Sequence, residues 1–405
     1  MIILVANIGS TSFKFRLFDL SSGGGADARA ERELASGGVE RIGGEGGAMS
    51  FAPAGRARLS RPCRCADHGQ AIQACLAAMI EAGVLTDAAT LAAVAFKAVM
   101  AGDCEPVAFV DEKLLAAMEY YYPAAPAHNP AYVAAMRSFR SVLGGVKLVA
   151  AFEPGFHRTI PPHRRCYAVG PEWQEKLGIR RYGYHGASHR YIAERTSRLM
   201  GGRARRIISC HLGGSSSICA VRDGASVATS MGFSPQTGLP QSKRVGEFDP
   251  YALALVARET GKSLEQMLEE LGSQAGLAGM SGTSGDLRDI LAAAAAGNGR
   301  AALALEAFVT SARDYIGAYL VELVGADALV FTGGMGEHSP LLRSKICREL
   351  GFAGIVLDEK KNVLVEGESR IESAASSTAI WVMPTNEELI VARQAKELLQ
   401  EQREH

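Results

Sequence analysis

The chain opens with two apolar runs separated by a short polar stretch. MIILVANIGSTSFKFRLFDL predicts a strand, a tight turn holding Asn7, Gly9, Ser10, Thr11 and Ser12, and a return strand from which Lys14 projects. Apolar residues at helical spacing in GQAIQACLAAMIEAG, 69–83, predict a helix. LAAVAFKAVMAG, 91–102, reads as a buried strand running into a turn. GVKLVAAFEPGFH, 145–157, repeats that pattern with a polar tip. A second region begins at RRIISCHLGGSSSICAVRDGASVATS, 205–230, again two strands around a Gly/Ser turn. A long helix near 301–324 precedes the strand DALVFTGG and a helix start at SPLLRSKI. NEELIVARQAKELLQEQ, near the C-terminus, is an amphipathic helix that can pack back on the first half. Strands alternating with helices predict an α/β architecture.

The two hairpin regions align with each other. Asn7-Ile8-Gly9 falls on His211-Leu212-Gly213, and Thr11-Ser12 falls on Ser215-Ser216. Similarity at this scale predicts two related halves. Glycine clusters at 23–25 and 43–47 read as loops, and no apolar helix follows the second, so it is not taken as a phosphate loop.

Composition narrows the function. The chain has 405 residues, enough for two domains with cores of their own, and 47% of them are apolar. Lysine plus arginine equals aspartate plus glutamate at 43 each, so no global field draws the chain to nucleic acid or membranes. No apolar run approaches the roughly 20 residues of a membrane span. The N-terminus has no basic n-region or cleavage site, and the expectation is a cytoplasmic protein. Its eight scattered cysteines are expected to be reduced, because nothing near Cys63-Arg-Cys65 completes a zinc site.

A Gly/Ser turn between two strands aims backbone N–H groups and hydroxyls at one spot, which suits phosphate. In the first hairpin Ser10 and Ser12 supply donors, Lys14 adds a point charge, and Asn7 can reach a metal-bound water. In the second, GGSSS at 213–217 does the same without a lysine. Two matched nests suit a polyphosphate chain gripped from both sides. VFTGGMGEHS, 330–339, sets glycines between a strand and a helix, where a base and sugar can lie against backbone. GxxxxGK[ST] is missing, which argues against a P-loop.

On these motifs the sequence resembles the acetate kinase family, within the actin, hexokinase and Hsp70 superfamily. The matching stretches run from residue 3 to residue 395. They are the N-terminal Asn-x-Gly-Ser-x-Ser-x-Lys, PAHNP at 126–130, RRYGYHGASHRYI at 180–192, HLGGSSS, SMGFSPQTGLP, SGTSGDLRDI, FTGGMGEHSP and MPTNEEL. The resemblance implies a two-domain actin-like ATPase (ribonuclease H-like) fold, duplicated, with the active site in an interdomain cleft. Residues 1–152 plus 386–405 would form one domain and 153–385 the other, closing over nucleotide to exclude water. It also implies a reversible reaction in which MgATP and a short carboxylate give ADP and an acyl phosphate. A carboxylate is already ionised, so the chemistry needs positioning and charge neutralisation rather than a general base.

By the match, His185 and Arg244 stabilise the moving phosphoryl group, and Glu153 stands for the family's catalytic aspartate. Lys97, Val99, Ala127, His128, Tyr184 and Pro235 would face the substrate. Ser10, Ser12, Lys14, His211, Leu212, Gly213, Gly214 and Ser215 would line the phosphates. Asp286, Leu287 and Arg288, with Gly334, Met335, Gly336, Glu337 and His338, would hold adenosine. Asn7 and Glu387 would hold Mg²⁺ (or Mn²⁺). A homodimer is implied, with no nucleic-acid or membrane partner.

The departures gather at the chemistry. Phe96-Lys97 replaces His-Arg, so the charge remains but the planar fork is lost. Met100 replaces a second histidine. Glu153 is one methylene longer than aspartate. Gly214 replaces an asparagine, and Gly246-Glu247-Phe248-Asp249 replaces Gly-Asp-x-Asp. Ala127 replaces leucine and Tyr184 replaces phenylalanine, which predicts a larger or more polar acid than acetate: propionate, butyrate or a hydroxy acid. Two alternatives stand beside this reading, a kinase using pyrophosphate and a nucleotide-binding relative without turnover.

Overall fold

The structure, a computed structural model, describes residues 1–21 and 31–404; the glycine cluster at 23–25 lies outside them. The opening hairpin forms as its pattern predicts. β1 (Ile2–Gly9) and β2 (Ser12–Asp19) pair antiparallel with Gly9 opposite Ser12, leaving Ser10 and Thr11 as a two-residue turn. Side chains alternate across the pleat. Leu4, Ala6 and Ile8, with Phe13, Phe15 and Leu17, join a core with the helices His68–Glu81 and Asn129–Leu143. Ile3 and Val5 are also fully buried, and the helix Glu387–Glu404 packs on β1 and its parallel neighbours.

The chain divides into two compact units, Met1–Gly155 with Asn386–His405, and Phe156–Thr385. The first unit adds β3 (Arg32–Glu40), β4 (Ala48–Pro53), β5 (Leu59–Pro62), β6 (Leu91–Ala98), β7 (Val107–Phe109) and β8 (Lys147–Phe152). Their order is β5-β4-β3-β2-β1-β6-β8-β7. The second unit has β9 (Arg206–His211), β10 (Ser217–Arg222), β11 (Ala225–Thr229), β12 (Ala328–Thr332), β13 (Ser369–Arg370) and β14 (Ala379–Val382). Their order is β11-β10-β9-β12-β14-β13. Both sheets share one plan. Three antiparallel strands, β3-β2-β1 or β11-β10-β9, continue into two parallel ones, β6 and β8 or β12 and β14. In the second unit the sheet is backed by the helix Gly299–Leu323, with Phe308, Ile316 and Leu320 in its core.

Two details depart from the sequence reading. The hairpins do not superpose residue for residue, because Asn7 faces Lys14 whereas His211 faces Ser217, one position early. The cause is the turn. Ser216 folds back on Gly213, accepting from its N–H at 3.1 Å and donating to its carbonyl at 3.0 Å. A one-residue slip changes which side chain shares a face, so Ser217 rather than Ile218 lies beside His211. The second departure is the glycine-rich segment after β12, which is itself a short helix, Gly333–His338, followed by another, Pro340–Cys347. Among the described residues no helix is long and apolar enough to cross a membrane.

Candidate active site

In the first unit the chemistry-bearing groups collect where β1, β6 and β8 meet the start of the helix Glu387–Glu404. Lys97 on β6 forms an ion pair with Glu387, the first residue of that helix. Burial works against the Lys97 ammonium, but the pull of Glu387 and then Glu153 outweighs it and carries its pKa above the ordinary lysine value. Glu153 follows β8 and is 6% exposed. Two carboxylates therefore converge on one cation. Tyr132, buried on the helix Asn129–Leu143, donates to Asn7 Oδ1 at 3.3 Å and accepts from Ile8 N–H at 3.4 Å. Burial pushes its phenol up to about 12, so it remains a donor that fixes the Asn7 amide.

The remaining first-unit candidates are more open. Ser10 is exposed at the hairpin tip and Ser12 is partly buried. Lys14 is exposed and lies 3.4 Å from Glu40. Val99 is buried, Ala127 is exposed, and His128 precedes the helix Asn129–Leu143. Next to it, the buried Asn129 donates to the carbonyls of Met100 and Met118 at 2.7 and 2.8 Å, which holds that helix start to the strand end.

In the second unit the glycine-serine turn is the hub. Leu212 is fully buried, and its carbonyl accepts from Met335 and Gly336 N–H at 2.9 and 3.0 Å. That joins the phosphate-loop candidates to Gly334, Met335 and Gly336. Ser242 N–H donates to Gly214 O at 3.0 Å, and Ser242 Oγ donates to Gly285 O at 2.5 Å. The same loop is thus tied to Asp286, Leu287 and Arg288. Asp286 caps the helix Leu287–Ala295 through Arg288 N–H and pairs with the Arg288 guanidinium, whose hydrogen bonds hold its pKa down to about 2. Glu337 accepts from Gly333 N–H at 2.9 Å, with its carboxyl raised by burial, and His338 is exposed.

Arg244 donates to Ser215 Oγ at 3.2 Å and to Gln241 Oε1 at 3.3 Å. Burial lowers its pKa, but an arginine starts so high that it stays charged. Gln241 is fully buried, accepts from Ser215 at 2.8 Å and donates to Pro235 O at 2.7 Å. One amide therefore fixes the serine turn, the arginine and the proline loop together. Tyr184 is 2% exposed, and its hydroxyl donates to Phe233 O at 2.6 Å.

His185 caps the helix Gly186–Leu199 with φ 56°, ψ 29°. A left-handed non-glycine backbone costs about 1 kcal/mol or more and persists only where the surroundings hold it. Its ring stacks on His211 at 4.2 Å and 21°, and its Nδ1 lies 2.8 Å from Ser217 Oγ. His211 Nδ1 lies 2.8 Å from Ser188 Oγ.

This pattern of residues has close relatives. The sequence model of the acetokinase family matches residues 2–393. The chain belongs to the acetokinase family. It is 39% identical over 404 residues to an acetate kinase of Heliobacterium modesticaldum, covering 98% of this chain and all of the relative. An acetate kinase of Acholeplasma laidlawii is 39% identical over 394 residues, covering 97% and 98%. The solved Porphyromonas gingivalis acetate kinase has TM-score 0.86 at 32% identity, covering 98% of this chain and 99% of the other. A propionate kinase from Francisella tularensis has TM-score 0.87 at 30%, covering 97% and 98%. As in those acetokinase-family structures, the fold is the duplicated actin-like one.

For this acetokinase-family chain, the motif reading missed three buried groups that tie the candidate site together: Tyr132, Gln241 and Arg343. Arg343 is fully buried and donates to Gly336 O, Glu337 O and both the side chain and carbonyl of Asn362, at 2.7–2.8 Å. Its place in PLLRSKI, on an amphipathic helix, gave no signal of this. Gln241 directly follows the matched SMGFSPQTGLP and is an ordinary loop residue by type.

Proposed function

We propose that this chain is a kinase that phosphorylates a short-chain carboxylate at the expense of MgATP, giving an acyl phosphate and ADP. The observation that supports it most is the second-unit hub. There one loop, residues 212–215, is bonded at once to an arginine, to a histidine-bearing strand end and to both segments expected at adenosine. In this reading backbone N–H groups and hydroxyls of the loop hold phosphates. Arg244 and His185 meet the charge that spreads over the moving phosphoryl group. In the first unit, Lys14 and the Ser10–Ser12 turn offer an ammonium, hydroxyls and backbone N–H groups of the same phosphate-binding kind.

The residues fit a hard divalent cation. Among the described residues no cluster of three or more His, Cys, Asp or Glu side chains forms an all-protein cage. Asn7 and Glu387 offer an amide oxygen and a carboxylate oxygen; the Lys97 ammonium paired with Glu387 is not itself a ligand. That donor set suits Mg²⁺, which is commonly held by one or two carboxylates and the substrate's phosphates. When bound, the ion neutralises phosphate charge and orients the terminal group.

Ala127 leaves room for acids longer than acetate, and the commitment of the Tyr184 hydroxyl to Phe233 O turns the preference towards apolar ones. Propionate and butyrate are favoured over hydroxy acids. The chain is proposed to act in the cytoplasm, in keeping with its eight free cysteines. Assembly as a homodimer is supported by the apolar side chains exposed on the helices Ala252–Thr260 and Leu264–Ser273: Leu255, Leu264 and Leu268, with Tyr251 beside them.

The test is a hydroxylamine trap with ATP or pyrophosphate as donor and acetate, propionate, butyrate and lactate as acceptors. Acyl hydroxamate should form with ATP, best with propionate or butyrate. A preference for acetate over all larger acids would overturn the substrate assignment, and ATP binding without product from any acid would favour a non-catalytic relative.

A further inference from the structure

Behind His185 lies a buried run of alternating hydroxyls and imidazoles that the proposed reaction leaves unassigned. Ser209 Oγ lies 2.9 Å from His189 Nδ1, His189 Nε2 lies 2.8 Å from Ser217 Oγ, and Ser217 Oγ lies 2.8 Å from His185 Nδ1. Ser209, His189 and Ser217 are each 0% exposed. The run spans two strands and a helix, β9, β10 and Gly186–Leu199, so no single local motif produces it.

Proton counting gives the run a direction. A hydroxyl has one proton, and a neutral imidazole has one N–H and one bare nitrogen. Among the described residues His189 is the only hydrogen-bond partner of Ser209 Oγ, and the two histidines are the only partners of Ser217 Oγ. If Ser209 donates to His189 Nδ1, then His189 donates from Nε2 to Ser217, and Ser217 donates to His185 Nδ1. Every buried proton then has an acceptor. Reversed, the run ends on Ser209 with a buried O–H that has none, the costly arrangement. Burial, and then the nearby His157 and His211, hold His189 well below the usual histidine range, so it stays neutral and the direction is kept.

We infer that Ser209, His189 and Ser217 form a one-way hydrogen-bond chain that leaves His185 bare at Nδ1 and protonated at Nε2. They are positioning residues for phosphoryl transfer. The inference deepens the kinase reading and rests on its placement of His185 at the phosphoryl group. A donor set in advance at Nε2 meets developing negative charge without reorganising at the moment of transfer. The left-handed backbone of His185 fits the same purpose, since it holds the ring on Ser217 at the mouth of the helix.

The test uses the full-length enzyme labelled with ¹⁵N-histidine. Long-range ¹H–¹⁵N spectra report which nitrogen of each ring carries a proton. His185, assigned by its loss in His185→Asn, should show the Nε2–H form in the wild type. Ser209→Ala removes a hydroxyl two links away that touches neither His185 nor substrate. It should mix the two His185 tautomers and lower kcat about tenfold while each KM changes less than about twofold, as loss of an orienting partner does. Ser217→Ala should cost roughly 100-fold in kcat. A wild-type His185 protonated at Nδ1, or a Ser209→Ala enzyme with unchanged tautomer and kcat, would overturn the inference. The wild-type spectrum decides this even where a variant folds poorly. Wild-type enzyme that makes no acyl phosphate while showing the Nε2–H form would instead sink the kinase reading and leave the chain standing.

Discussion

Gly214 takes the place where the family resemblance leads one to expect asparagine, and its backbone does not require glycine. Its φ is not positive, and a Cβ there would come no nearer than 3.7 Å to Ser242 Oγ. Gly214→Asn should therefore fold normally and return one amide donor to the phosphate loop. One added hydrogen bond to a charged group is worth about 1.5 kcal/mol, so the KM for ATP should drop roughly tenfold in steady-state assays. Lys97 is the opposite case, because Glu153 is buried and Glu387 nearly so. Lys97→Ala removes the ammonium on which the charges of Glu387 and Glu153 act, and urea unfolding should show a loss of about 3 kcal/mol. Lys97→Arg keeps the charge and should keep most of that stability. These residues also show what the sequence revealed and what it hid. The type and order of Asn7, Lys14, His185 and Arg244 were legible, since motif chemistry depends on residue identity. The commitment of Lys97 to Glu387 was not legible: 290 residues separate them, and only the fold brings them together. The Tyr184 hydroxyl was likewise ambiguous until Phe233 O appeared as its acceptor.

At the scale of elements, the alternation of apolar runs predicted the opening hairpin, the central strands β6, β8, β9, β10 and β12 and three long helices, but not the edge strands or the helices Asn129–Leu143 and Gly186–Leu199. The helix predicted at 69–83 is His68–Glu81, and that near 301–324 is Gly299–Leu323. Periodicity carries such elements because each buries a face. It failed for Gly333–His338, where glycines mask helical spacing and the segment is held by what packs behind it. That support is Arg343, whose burial lowers its pKa to about 10 while four hydrogen bonds hold it charged. Arg343→Ala should cost about 3 kcal/mol and raise the KM for ATP more than it lowers kcat, since the carbonyls of Gly336 and Glu337 lose their donor. Arg343→Lys should rescue little, because an ammonium does not span that fork. The hairpin repeat was right in kind and wrong by one residue in register, because the Ser216–Gly213 bonds belong to side-chain geometry rather than to pattern.

The whole molecule carries two consequences of burial and exposure. His157, 1% exposed, bonds Ser226 and Tyr184 O, and burial depresses its pKa to about 4. A histidine depressed on folding stabilises the protein above its unfolded pKa, and that contribution fades as pH falls towards the folded value. Between about pH 7.5 and 5.5, His157 alone should remove about 1 kcal/mol from the second unit's stability. His157→Gln should be less stable at neutral pH and less pH-dependent over that window, as urea titrations would show. The exposed apolar side chains of Leu255 and Leu268 make the second case. Light scattering should find two copies in the wild type and one in Leu255→Glu/Leu268→Glu.

The kinase reading itself is tested most directly by following ³¹P resonances in one tube holding enzyme, MgATP and excess propionate. An acyl phosphate signal should grow in step with ADP and vanish when the acid or the magnesium is left out. Consumption of ATP to ADP and inorganic phosphate, indifferent to the acid, would contradict it.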